Sequence, residues 1–84
     1  MAAQSAKLTP QACRAARALL NWTTRDLQRE AELSPNTLAD VENGRPFTEA
    51  TANKIKAAFT RHSVEITNGD GTGAKLLTAS YPRA

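Results

Sequence analysis

The chain has little of what small proteins use to staple themselves or to build reactive chemistry. It carries one cysteine, Cys13, and one histidine, His62. A single thiol cannot close an internal disulfide, and one thiol with one imidazole is too small a donor set for a zinc site. No metal and no cofactor are expected. Aromatic residues make up 5% of the sequence. Trp22, Phe47 and Phe59 therefore read as core and helix-entry residues rather than as a platform for stacking bases. No apolar stretch approaches the roughly 20 residues of a membrane span, and no secretory signal pattern is present, so a cytoplasmic protein is expected. Nothing in the sequence assembles a nucleophile, a base and oxyanion donors, which argues against an enzyme. Asn68-Gly69-Asp70-Gly71 superficially suggests a calcium loop, but the remaining acidic positions and the closing glutamate are missing.

What is present is a short, mildly basic chain. Its 84 residues make one small domain, which buries only about 60 to 65 per cent of its unfolded surface, so a second subunit would help its stability. Eleven basic residues against eight acidic ones give a net charge of +3. That balance suits a polyanion partner but does not by itself identify one.

The clearest signal is helix punctuation. Leu8-Thr9-Pro10 reads as apolar residue, N-cap and Pro at the first helical position, opening a helix to about Asn21 with Cys13, Arg17 and Leu20 on one face. Thr23 is a second cap, with Asp26 placed to complete a capping box and Trp22 and Leu27 placed as a hydrophobic staple. Leu33-Ser34-Pro35, with Leu38 beyond, repeats the device. The helix it starts should end near Asn43, because Gly44 suits a left-handed C-terminal turn and Pro46 blocks continuation. Only Glu32 and Leu33 are left between these two helices, too few for an antiparallel hairpin. Phe47-Thr48 opens a fourth helix to about Arg61, with Ala52, Ile55, Ala58 and Phe59 at helical spacing. The period then changes. Val64-Glu65-Ile66 and Ala74-Lys75-Leu76-Leu77, separated by the glycine-rich stretch Asn68 to Gly73, read as a β-hairpin. An isolated hairpin is barely stable in water, so this one must pack on the helices or pair with another chain.

The run L-x-x-x-A-x-L-S-x-x-T-L-x-x-V-E-N-G, from Leu27 to Gly44, resembles the helix-turn-helix of the λ repressor/Cro family, also called the Xre family. The resemblance extends over roughly Leu8 to Phe59. One position departs: Glu32 stands where these proteins usually have glycine, and a non-glycine residue at positive φ costs on the order of 1 kcal/mol. The fold implied is mainly α, a λ repressor-like helix-turn-helix bundle of four to five helices with a C-terminal β-hairpin. Its expected organisation is a flexible start at 1–7, a DNA-binding domain at 8–62, a hairpin at 63–77 that serves dimerisation, and a flexible tail at 78–84.

The resemblance also implies roles. Family members insert the first half of the third helix into the major groove, which maps base reading onto Pro35, Asn36, Thr37 and Asp40. Asn can bond adenine bidentately, Thr can offer its methyl to thymine, and a carboxylate can accept from cytosine. Asp40 near phosphates runs against simple electrostatics, and any amphipathic surface helix has a polar face. Thr23 and Thr24 at a helix N-terminus, with Asn43 and Arg45 after the third helix, map onto phosphate-contacting positions. Arg14, Arg25 and Arg29 are further candidates, each with a solvated surface charge as the alternative. Arg17 and Glu42 fall on the positions of a family ion pair that orients helices rather than touching DNA. Cys13 reads as a small buried hydrophobe.

The function implied is a bacterial sequence-specific transcriptional regulator, a repressor or autoregulatory controller. It would bind a palindromic double-stranded DNA operator as a homodimer, with no membrane partner and no small-molecule ligand. Val64, Ile66, Leu76 and Leu77 are the expected dimerisation residues, and helix four, through Ile55 and Phe59, is the alternative contact. The rival reading is an antitoxin or antiactivator whose main partner is another protein, docked by strand addition to the hairpin.

Overall fold

Each helix begins where a hydroxyl takes the place of a missing backbone carbonyl. The computed structural model describes residues 7–67 and 73–77, and the expected flexible start before Lys7, the turn at 68–72 and the tail at 78–84 lie outside the described residues. Among the described residues there are four helices, α1 (Pro10–Leu20), α2 (Thr24–Ala31), α3 (Pro35–Glu42) and α4 (Glu49–Arg61), followed by β1 (Val64–Thr67) and β2 (Gly73–Leu76). Thr9, Thr23, Ser34 and Thr48 are the N-caps, each side-chain oxygen accepting the amide three residues on, at 3.0 to 3.2 Å. At α2 the box closes, because the Thr23 amide donates in return to Asp26 Oδ2 at 2.9 Å.

The helix ends share one device. Asn21, Glu32, Gly44 and Ser63 turn left-handed, with φ of 58°, 57°, 80° and 66°. At the first three, the amide after the turn residue reaches back five residues in Schellman fashion: Trp22 to Arg17, Leu33 to Gln28, and Arg45 to Asp40. Glu32 thus adopts the conformation that its place in the motif requires.

The core lies between the helices and the hairpin. From α1 come the small residues Ala12, Cys13 and Ala16, which let neighbouring backbones approach closely, and larger volume comes from Leu27, Leu38, Val41, Ile55 and Phe59. Trp22 closes one side, its ring stacked on Phe59 with centroids 5.7 Å apart and meeting His62 edge-on at 4.8 Å.

The two strands pair antiparallel with Val64 opposite Leu76 and Ile66 opposite Ala74, and they pack on α1 and α4. The Leu77 amide donates to the Ser63 carbonyl at 2.7 Å, closing the open end. This corrects the expected dimerisation surface. Val64 is 0% exposed and Ile66 7%, so both belong to the chain's own core, and only Leu76 and Leu77 keep partial exposure. Ile55 and Phe59 are also fully buried. The alternative contact through helix four is therefore closed to those side chains. An alternating strand buries one face whichever surface covers it, and here α1 and α4 cover it.

Candidate nucleic-acid interface

The exposed side of α3 is the centre of the site. Leu38 and Val41 are buried, and the 3.6-residue period turns Pro35, Asn36, Ala39 and Asn43 outward, where all four are exposed. Thr37 is half-buried. Its hydroxyl lies 2.9 Å from Ser34 Oγ, so the cap holds the side chain close to the start of the helix. Asp40 is half-exposed and pairs with Arg45 at 3.1 Å. That pairing meets the electrostatic objection to a carboxylate on this face, because the nearby guanidinium offsets it.

The flanks differ from one another. At the N-terminus of α2, Thr23, Thr24 and Arg25 are exposed. Arg29 is held by Asp26 at 2.9 Å. The Asp26 carboxyl is kept below its usual range, first by the Thr23 amide and then by bonds from the Thr23 and Arg29 side chains. The box engages the amides of Thr23 and Asp26, leaving those of Thr24 and Arg25 at the helix end without an intrahelical acceptor. Beyond α3, an open groove of about 760 Å³ runs beside the loop to α4, with Lys7, Arg45 and Lys56 among its walls and Leu8, Phe47 and Ala52 at its base.

Arg14 and Arg17 both turn to Glu42. Arg14 is exposed, and its Nη1 donates to the Glu42 carbonyl at 2.6 Å, a structural engagement that a phosphate-contact reading did not anticipate. Arg17 grips Glu42 through two bonds, Nε to Oε2 at 2.8 Å and Nη2 to Oε1 at 3.0 Å, and it also donates to the Trp22 carbonyl at 3.2 Å. The pair is largely sheltered, at 18% and 11% side-chain exposure. Cys13 is buried as expected, yet it is more than a hydrophobe: its thiol donates to Glu42 Oε2 at 3.3 Å. Burial, reinforced by the Glu42 carboxylate, pushes its pKa far up, so the thiol stays protonated. Sequence reading missed a further cluster in which Glu30 accepts Arg61 on its carbonyl at 2.6 Å and faces His62 Nε2 at 3.1 Å. It ties the end of α2 to the end of α4. Basic residues in the last turn of α4 were the signal available for it.

Among the described residues no group of His, Cys, Asp and Glu is placed to hold a metal ion, and no helix is long and apolar enough to cross a membrane. Comparison with curated proteins gives no match. The helix-turn-helix family model matches residues 14–66, well over half of the chain, including all of α2, α3 and α4. The two capped helices, the left-handed turn between them and the outward polar face of the second thus have one explanation. The chain belongs to the helix-turn-helix family, in its Xre/λ repressor-like form, whose members are DNA-binding transcription regulators.

Proposed function

We propose that the protein is a sequence-specific repressor or autoregulatory controller that binds a palindromic operator as a homodimer. The observation that carries this reading is the outer face of α3. It is polar, short-chained and free of large apolar groups, so it can enter a major groove and place Asn36 and Thr37 against base edges. Phosphates on one side meet the amides of Thr24 and Arg25, and on the other Arg45, beside a groove that Lys7 and Lys56 line together with Glu49. When DNA arrives, Arg45 exchanges part of its contact with Asp40 for a phosphate.

Selection of bound duplexes from a random pool, followed by salt titration, is the test. Asn36→Ala is expected to weaken the selected site by about 1 to 3 kcal/mol and to relax preference at one or two base pairs of each half-site, leaving non-specific binding nearly intact. Arg45→Ala is expected to weaken all duplexes alike and to lower the salt slope by about one unit. An unchanged selected sequence with Asn36→Ala would remove α3 as the reader. Stable capture of a protein partner with no DNA retention at low salt would favour the antitoxin or antiactivator reading.

A further inference from the structure

Three side chains of α1 end on one residue of α3. Arg17 takes both carboxylate oxygens of Glu42, Cys13 adds a thiol donor to Oε2, and Arg14 reaches past the side chain to the Glu42 backbone carbonyl. Glu42 is the last residue of α3. Its carbonyl therefore lies among those at the helix end that lack an intrahelical amide, and a guanidinium there satisfies it and opposes the negative end of the helix dipole. A single ion pair would leave α3 free to pivot about a flexible glutamate. One attachment on the main chain and two on the carboxylate restrict translation and rotation together.

We infer that Cys13 and Arg14 are positioning residues for the DNA-reading helix, which with Arg17 clamp Glu42 and set how the outer face of α3 stands in the groove. The inference rests on the DNA-binding reading above. It assigns Arg14 to α3 rather than to a phosphate, although Arg14 is exposed and cationic. It gives Cys13 a directional role that its burial alone does not suggest. The carboxylate has room for these donors, since its two oxygens offer about four acceptor sites.

The test compares Arg14→Ala, Arg14→Lys, Cys13→Ala and Cys13→Ser at a temperature where circular dichroism shows each folded. The probes are the duplex that the wild type selects and a scrambled duplex of equal length. Arg14→Ala is expected to lose about tenfold on the selected duplex, with little change on the scrambled one and an unchanged salt slope. Amide exchange at Asn43, Gly44 and Arg45 is expected to quicken in both alanine variants, and Arg14→Lys and Cys13→Ser are expected to recover most of both effects by restoring a donor. Equal loss on both duplexes with a slope lower by about one unit would make Arg14 a phosphate contact and overturn its assignment. Unchanged exchange and unchanged selectivity in the alanine variants would overturn the clamp. A wild type that does not discriminate between the duplexes would defeat the DNA reading instead, and the exchange rates would still decide whether the clamp exists.

Discussion

At the scale of single residues, the protein accepts strain where a turn demands it. Glu32 holds φ of 57° between α2 and α3 with a side chain that is exposed, so no packing offsets the left-handed backbone. Glu32→Gly is expected to raise stability by about 1 kcal/mol, read as a higher urea midpoint at constant slope, because glycine reaches that conformation without a Cβ clash. A lower midpoint would mean that the Glu32 side chain has an unrecognised role. Asp26 supplies a pH-dependent counterpart. Its folded pKa is depressed, so its contribution is present above the unfolded value near about 4 and disappears as pH falls through the folded value. The stability gap between wild type and Asp26→Asn is therefore expected to hold steady near neutrality and to narrow in acid. A gap that stayed constant down to about pH 2 would show that the capping box does not respond to protonation.

At the scale of helices, the junction of α1 with α3 concentrates the sheltered polar chemistry. Glu42→Ala would leave the Arg17 guanidinium with the Trp22 carbonyl as its remaining partner at 18% exposure. Loss of about 3 kcal/mol is expected, visible as a large fall in melting temperature in so small a domain. Replacing both partners, Arg17→Met with Glu42→Met, is expected to recover part of that loss, since the uncompensated charge is gone. A melting temperature untouched by Glu42→Ala would reduce the pair to surface decoration. Much of this architecture was legible in the sequence because capping is local: Thr9, Thr23, Ser34 and Thr48 each bond an amide three residues on. Gly44 and Pro46 announced the end of α3 in the same way. The partners of Cys13 and Arg14 were not legible, because Glu42 lies 29 and 28 residues away and hydrophobic period carries no record of such pairings. Arg17 and Glu42 could be paired in advance only through the family resemblance. The third helix's buried stripe was likewise readable from spacing, whereas the Asp40 to Arg45 contact depended on how the chain turns after Asn43.

At the scale of the whole molecule, the proposed operator binding requires two copies of one small reading unit. A palindromic operator needs two α3 helices about one DNA turn apart, roughly 34 Å, and two-fold association supplies that spacing. Burial of Val64 and Ile66 in the monomer narrows the surface available for association. Leu76 and Leu77 remain partly exposed on the second strand and just after it, and Leu19 on α1, at 41%, is the exposed large hydrophobic residue among those described. A short hairpin with open strand edges and a partly covered apolar end invites a second copy. Removing the chain from Val64 onward is thus a poor test, because it strips two residues from the core and is expected to unfold the helices rather than to release a clean monomer. Leu76→Asp with Leu77→Asp is the sharper change. Near-native circular dichroism, a monomer in sedimentation equilibrium and retained weak half-site binding are expected, with operator affinity falling steeply because the two half-sites no longer bind as one. Val64→Asp, in contrast, is expected to unfold the protein by placing an unpaired charge in the core. A folded double variant that stayed dimeric would move the interface off the hairpin, and a wild type that sedimented as a monomer at operator-binding concentrations would remove the two-fold arrangement altogether.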